Sequence, residues 1–352
     1  MSVNRIVRVL VVDDSAYVRK MVTQMLSRSP FVEVVGMARD GREALALAVE
    51  TDPDVITCDL NMPEMDGVAF VREQMARRPT PIVIISVASH SGERVLAALD
   101  AGAVDFVQKP TALASDRILE VSEELLDKVK AAALAPMRRV LAGAGSSLSA
   151  RPTAVPGFRP RGTRRADVVV IGISTGGPQG LKAMMPKFPA DFPVPIAVVL
   201  HMPVGYTEMY ARKLDEVCEL AVKEAADGDE LVAGSVLLAP AGRHLLFRRT
   251  GGRVVAHLDL RPLDTPHRPS VDVLFQSAAE VYGGRTLAVV MTGMGADGRQ
   301  GAAWIKAQGG CVLTESEDSC VVYGMPRSVV EAGLSDKAVP LEDMAVTIVE
   351  QI

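Results

Sequence analysis

Between residues 136 and 166 the chain carries seven arginines and no acidic residue, scattered among prolines, glycines and serines with no sustained apolar period. Such a stretch cannot form the middle of a core. It reads as a flexible linker, kept in solution by its arginines. Residues 1–135 and 167–352 must then each bury a core of their own. A length of 352 residues also favours two domains, because single cores stop growing at about 250 to 300 residues. Hydrophobic residues make up 48% of the chain and charged residues 23%, with a net charge of −5. That balance excludes a disordered chain and gives no reason to expect a nucleic-acid partner. No apolar run approaches the roughly 18 to 20 residues of a bilayer span, and the amino terminus leads into a β-like run instead of a signal peptide. A cytoplasmic location without direct membrane insertion is expected. Cys58, Cys218, Cys311 and Cys320 are scattered without a Cys-x-x-Cys pair, so they read as reduced thiols and not as a disulfide framework or metal site.

Both flanks alternate short β-branched runs with amphipathic stretches. In the first, the strand candidates are Ile6 to Val12, Val32 to Met37, Val55 to Cys58, Ile82 to Ser86 and Val104 to Val107. Helical segments near 16–28, 42–50, 67–77, 92–101 and 116–133 separate them, giving five βα units. Nearly unbroken apolar strands between helices predict a parallel sheet covered on both faces, with ligands at the carboxyl ends of its strands. Asp13 and Asp14 follow the first strand, Asp59 the third and Lys109 the fifth, while Ser86 ends the fourth. Three carboxylates converging on one sheet edge repel unless a cation sits among them, and an oxygen-rich site of this kind suits Mg²⁺. Asp59 is then placed as a nucleophile toward phosphate, with Lys109 and Ser86 compensating charge. One aspartate alone would read as a helix cap; five residues at the ends of four strands do not.

The segments VVDDSAYVRKM, CDLNMPEMDG, IIS and QKP resemble a two-component response-regulator receiver domain over residues 5 to about 130. The resemblance implies a flavodoxin-like (βα)5 fold, Mg²⁺ held by Asp13 or Asp14 and Asp59, phosphorylation of Asp59 by a histidine kinase, and Ser86 with Lys109 as the switch pair. Lys109-Pro110 resembles the receiver's Lys-Pro step. Phe106 falls at the switching aromatic, here without a hydroxyl.

A receiver predicts an output domain without saying which. Residues 167–352 hold 16 Lys+Arg against 23 Asp+Glu and no basic recognition helix, which argues against a DNA-binding output. Their strand candidates, at 168–173, 195–200, 235–239, 286–291 and 310–314 with a hairpin at 244–258, predict a second, doubly wound and mostly parallel α/β domain. The first strand runs into Gly172-x-Ser174-x-Gly176, with Gly177 and Pro178 opening a helix, so Ser174 falls on a sharp strand-to-helix turn. The same turn suits a phosphate, which leaves a nucleotide-binding output as an alternative. A serine nucleophile needs a base. Of the five histidines, His90 lies in the first segment, His244 and His257 in or beside the hairpin, and His267 in a loop before a helix. His201 directly ends the strand Ile196 to Leu200 and should emerge on the same sheet edge as Ser174. The base in turn needs an acid, and Asp297 sits in the glycine-dense loop Thr292-Gly-Met-Gly-Ala-Asp-Gly298. As a bland alternative Asp297 is a helix cap. A cap, however, does not require Gly293, Gly295 and Gly298 around it, whereas a backbone approaching a reacting centre does.

IGISTGGP, LHMP, LLAPAGRHL, HRPSVDVLF, VMTGMGADG and VVYGMPRSV together resemble the catalytic domain of the chemotaxis protein-glutamate methylesterases. The resemblance implies hydrolysis of glutamate γ-methyl esters on the cytoplasmic helices of methyl-accepting chemotaxis receptors, and deamidation of receptor glutamines. It also implies a chemotaxis histidine kinase as phosphodonor and no cofactor for the esterase step. At matching positions Ser174 is the nucleophile, His201 the base and Asp297 its orienting acid. Thr175, Gly176 and Met294 fall where the family supports the triad and the oxyanion. Ile173 stands where the commoner family form has Ala, and its larger side chain is expected to narrow the pocket.

Overall fold

The computed structural model describes residues 5–86, 92–109, 115–137 and 166–352. The chain separates into two compact units within the 136–166 stretch, and each is described by itself. Most of the expected linker, His90 and Pro110 lie outside the described residues.

In the amino-terminal unit, β1 (Val7–Val12), β2 (Val32–Ala38), β3 (Val55–Cys58), β4 (Ile82–Ser86) and β5 (Asp105–Gln108) alternate with α1 (Ala16–Leu26), α2 (Gly41–Thr51), α3 (Gly67–Arg77), α4 (Gly92–Asp100) and α5 (Ser115–Ala133). The strands pair in parallel in the order β2-β1-β3-β4-β5. Every residue of β3 and β4 is buried, as strands covered on both faces must be. Helix starts are set by short acidic caps. Asp40 accepts the Arg42 and Glu43 amides and Asp66 accepts the Ala69 amide. The winding reverses between β1 and β3, which opens a crevice at the carboxyl ends of those two strands.

In the carboxy-terminal unit the chain runs through β6 (Val168–Ile173), α6 (Gly177–Met184), β7 (Ile196–Leu200), α7 (Thr207–Asp215), β8 (Ala221–Glu224) and β9 (Ser235–Leu238). It continues through the hairpin β10 (His244–Thr250) and β11 (Arg253–Asp259) into α8 (Val271–Tyr282) and β12 (Thr286–Val290). The last elements are α9 (Arg299–Ala307), β13 (Cys311–Glu315), α10 (Met325–Glu331), β14 (Lys337–Val339) and α11 (Leu341–Gln351). Seven strands form one sheet in the order β14-β13-β12-β6-β7-β9-β8, each neighbouring pair parallel. Two of them, β8 and β14, are additional to the sequence expectation. Both are edge strands, with one buried residue in β8 and one in β14, so neither shows the apolar run that betrays a central strand. The hairpin turns on Gly251 and Gly252, whose φ values of 57° and 83° a two-residue primed turn requires.

From β6 the chain winds one way through β7 to β9 and β8, then returns to β12 on the other side of β6. The switch point of this sheet therefore lies at β6, and loops after β6, β7 and β12 share its crevice. Helix α8 crosses β6 so closely that a Cβ on Gly172 would lie 2.2 Å from Val271 Cγ1. Beneath it, Val170, Val199 and Val290 share one apolar core with Phe275 of α8 itself.

Candidate functional site

At the carboxyl edge of the first sheet the structure brings Asp13, Asp14, Asp59, Ser86 and Lys109 to adjoining strand ends. Asp13 and Asp59 are buried and Asp14 is exposed. One carboxylate oxygen from each lies within 4.8 Å of the others. Lys109 Nζ stands 2.6 Å from Asp13 Oδ2 and 3.0 Å from Asp59 Oδ1, and the Lys109 amide donates to the Ser86 carbonyl at 2.7 Å. Two carboxylates 4.8 Å apart repel by about 3 kcal/mol at an effective dielectric near 20. One ammonium among three carboxylates leaves the cluster negative. An all-oxygen, acidic, partly open donor set fits a divalent cation such as Mg²⁺. Phe106 is buried in β5 with the Lys128 ammonium 5.6 Å from its ring centroid.

The second crevice is built by register. Ile173 of β6 pairs with Leu200 of β7, and the His201 amide donates to the Ile173 carbonyl at 3.1 Å. Ser174 and His201, each one residue further on, thus leave neighbouring strands about 4.8 Å apart. The Ser174 amide donates to the Thr292 carbonyl at 3.0 Å, which ties the turn to the loop after β12. Gly176 turns the chain at φ +79°, and a side chain there would strike Val321 at 2.7 Å. Gly293 lies flat against the serine: a Cβ on it would sit 2.8 Å from Ser174 Cβ and 2.5 Å from Met325 Sδ. The glycine-dense loop is therefore one side of the crevice wall, with half-buried Met294 next along it. Thr175 is buried, and its carbonyl accepts the Thr292 hydroxyl at 3.0 Å.

His201 and Asp297 meet, Nε2 to Oδ2, at 2.9 Å, with side chains only 10% and 9% exposed. Because Nε2 faces the acid, Nδ1 is the remaining ring nitrogen, and no hydrogen bond joins it to the Ser174 hydroxyl. Nδ1 is buried and has no hydrogen-bond partner among the described residues. Asp297 also accepts the Val271 amide at 2.8 Å, the Asp272 amide at 2.9 Å and the Ser270 hydroxyl at 2.9 Å. Burial by itself would push this carboxyl up. The His201 hydrogen bond and charge, with the Asp272 and Val271 amides, reverse that and hold it well below the usual carboxylate range. These contacts favour the ionised form of Asp297. A half-buried hydroxyl, an imidazole with one nitrogen engaged and one spare, and an acid favoured in its ionised form are the kinds of group an acyl-transfer site uses.

The CheB methylesterase family matches residues 169–348 and the response regulator receiver domain matches residues 9–121. The chain belongs to the CheB methylesterase family. A protein-glutamate methylesterase/protein-glutamine glutaminase of Myxococcus xanthus is 50% identical over 339 residues, covering 96% of both chains. One of the same name from Thermotoga maritima is 40% identical over 351 residues, covering 99% of both. The crystal structure of the Thermotoga maritima CheB methylesterase catalytic domain is 44% identical, covers 53% of this chain and 99% of its own, and superposes with a TM-score of 0.52.

Within this CheB-family site two features depart from the sequence expectation. Ile173 does not narrow the crevice. It is fully buried and points the other way, 3.1 Å from where a Cβ on Gly177 would be and 3.3 Å from one on Gly180. Alternation along β6 forces this, because Ser174 takes the opposite face. His267, given no role from sequence, stacks on the His201 ring with centroids 4.1 Å apart and planes 25° apart. Among the described residues the other two histidines, His244 and His257, make structural contacts. His244 is fully buried, accepts the Ser270 amide on Nδ1 at 3.2 Å and faces the Pro262 carbonyl with Nε2 at 3.1 Å; His257 pairs with Asp227 at 2.9 Å. Ser270 and Asp272, which hold Asp297, were also missed as site residues. The only sequence signal for them is their place in HRPSVDVLF, one of the segments that carry the family resemblance.

Among the described residues no helix is long and apolar enough to cross a membrane.

Proposed function

We propose that this chain is a phosphorylation-activated hydrolase of chemosensory adaptation, with a receiver at 1–135, a linker at 136–166 and a catalytic domain at 167–352. It cleaves glutamate γ-methyl esters on chemoreceptor cytoplasmic helices, taking up water and releasing methanol. Acting on receptor glutamines, the same site takes up water and releases ammonia. The observation that carries this reading is the buried, unpartnered Nδ1 of His201, at the strand end neighbouring that of Ser174, with Nε2 already engaged by Asp297. Nδ1 takes the Ser174 proton as Oγ attacks the γ-carbonyl. The carbonyl oxygen becomes an oxyanion received by backbone amides at Met294 and Gly176. His201 returns the proton to the departing methoxide, and a water then repeats both transfers to free the glutamate. Asp297 keeps the Nε2 proton in place and stabilises the imidazolium.

In the receiver, Asp59 accepts the phosphoryl group from a chemotaxis histidine kinase, and Ser86, Phe106 and Lys109 respond to it. Mg²⁺, held by Asp13, Asp14 and Asp59, supplies charge neutralisation for that transfer when bound. Phosphorylation raises esterase activity by shifting an equilibrium already present in the chain. A nucleotide- or DNA-binding output has no observation in its favour.

The test is labelled methanol release from methylated receptor, with and without acetyl phosphate. Wild type is expected to respond to the phosphodonor and Asp59→Asn is not. Ser174→Ala should fall by several powers of ten. Near-normal release by Ser174→Ala refutes the assignment of the nucleophile.

A further inference from the structure

Two neighbouring helices in the carboxy-terminal unit begin without help from their own caps. Ser270 makes no side-chain cap for α8, and α9 starts at Gly298, which has no side chain to offer. Each helix is capped by a carboxylate from the other's first turn or loop. Asp297 accepts the Val271 and Asp272 amides of α8; Asp272 accepts the Gly298 amide at 2.9 Å and the Gly301 amide at 2.7 Å from α9. The helices can exchange caps only because they touch closely. A Cβ on Gly301 would lie 2.5 Å from Phe275 Cβ and 3.0 Å from Asp272 Cα.

The consequence bears on His201. Asp297 sits on a turn between Gly295 and Gly298, with φ of +83° and +99°, so its own loop does little to fix it. Its carboxylate is held from one side by α8, and its backbone is held immediately afterwards by Asp272 gripping Gly298 and Gly301. We infer that Asp272 is a positioning residue of the reaction, locking the 297–301 turn so that Asp297 reaches His201 Nε2. This rests on the Ser174, His201 and Asp297 reading given above. Both bonds that Asp272 accepts fall on one oxygen, Oδ1, so the role needs an acceptor at that point and not a charge. Burial and the nearby Asp297 charge in fact push the Asp272 carboxyl up to about 6, opposed by the Gly301 and Gly298 amides. A group that must stay charged would be poorly served by such surroundings.

The inference separates two substitutions that a purely electrostatic role would rank in the opposite order. Asp272→Asn keeps the acceptor in place and loses the charge. Asp272→Glu keeps the charge and displaces the acceptor by a methylene. Both are made in the full chain and assayed for kcat and KM of methanol release from methylated receptor, with thermal unfolding of each and Ser174→Ala as the blank. Asp272→Asn is expected to stay within about threefold of wild-type kcat, and Asp272→Glu to lose about 10- to 100-fold in kcat with KM little changed. Histidine ¹⁵N NMR supplies a second readout: His201 should keep its proton on Nε2 in wild type and Asp272→Asn and lose that preference in Asp272→Glu. If Asp272→Glu equals or exceeds Asp272→Asn in kcat, the inference is wrong. Should Asp272→Glu fail to fold, Asp272→Asn decides alone, since a drop beyond tenfold overturns a role that needs only an acceptor. Equal methanol release by wild type and Ser174→Ala would instead sink the triad reading, and the tautomer measurement would still report whether Asp272 places Asp297.

Discussion

Replacing Asp297 by Asn tests whether one carboxylate both caps a helix and serves the imidazole. The carboxylate receives four donors, two on each oxygen: Ser270 and Asp272 on Oδ1, Val271 and His201 on Oδ2. An amide has one acceptor oxygen, so its NH2 must confront one of these pairs. Turned toward Val271 and His201, it strands the Val271 amide and drives the imidazole into the tautomer with a proton on Nδ1, which can no longer receive one from Ser174. Turned toward Ser270 and Asp272, it strands the Asp272 amide but leaves His201 correctly protonated and without its counter-charge. Either orientation orphans one backbone donor, at about 1 to 3 kcal/mol, and removes a negative charge from a helix start, at about 0.3 to 1 kcal/mol. A stability loss of about 1 to 4 kcal/mol leaves a domain of ordinary stability folded. For catalysis, an imidazolium 2.9 Å from a carboxylate gains about 5 to 6 kcal/mol at an effective dielectric near 20, equivalent to about 10⁴ in rate. Asn retains a dipole, so the expected loss in kcat is about 10³- to 10⁴-fold. The assay pairs kcat for methanol release with denaturant unfolding of the same sample. A folded Asp297→Asn with kcat within tenfold of wild type refutes the catalytic part, and unchanged stability refutes the capping part.

Gly293→Ala and Gly295→Ala separate close approach from backbone strain. The first puts a methyl 2.8 Å from Ser174 Cβ and should cost about 10- to 100-fold in kcat; the second meets nothing within 4 Å and should cost only about 1 to 2 kcal/mol of stability for its φ of +83°. Equal kcat losses in the two would show that the contact with Ser174 is not what makes Gly293 necessary. His244 sets a pH dependence of stability. Burial holds its pKa below the ordinary value, against the Pro262 carbonyl, so the folded protein binds fewer protons here than the unfolded chain. Its contribution is present above about pH 6.5 and is lost as pH falls through that value toward the folded pKa. Wild type should therefore lose melting temperature below about pH 6.5 more steeply than His244→Gln; parallel profiles would contradict this.

The strand-end chemistry was legible from sequence because a parallel sheet puts all its carboxyl ends on one edge. Once Ile82 to Ser86 and Ile196 to Leu200 read as buried strands, the placement of Ser86 and His201 followed without any contact being known. What could not be read was anything requiring the direction of a side chain or the pairing of distant loops. Ile173 counted as a pocket residue until alternation along β6 put it under α6. His267 comes from a loop whose path over His201 depends on where His244 pins it, far away in sequence. The edge strands β8 and β14 carry too little buried surface to announce themselves.

Asp297 shows the same limit in its sharpest form, because helix cap and triad acid stood as competing readings of one residue. The contacts of the one carboxylate are compatible with both. Asp297 does cap a helix, but α8 and not the α9 that follows it, and the amides it caps are among the groups that overcome the cost of burying its charge. After the His201 hydrogen bond and charge, those amides are the next groups that offset the burial pushing this carboxyl upward, and a protonated carboxyl could no longer orient an imidazole. Capping thus supports the proposed catalytic role. A sequence search for an acid near a glycine-rich loop finds the residue, but only the crossing of α8 over β6 at Gly172 shows why it can stay charged.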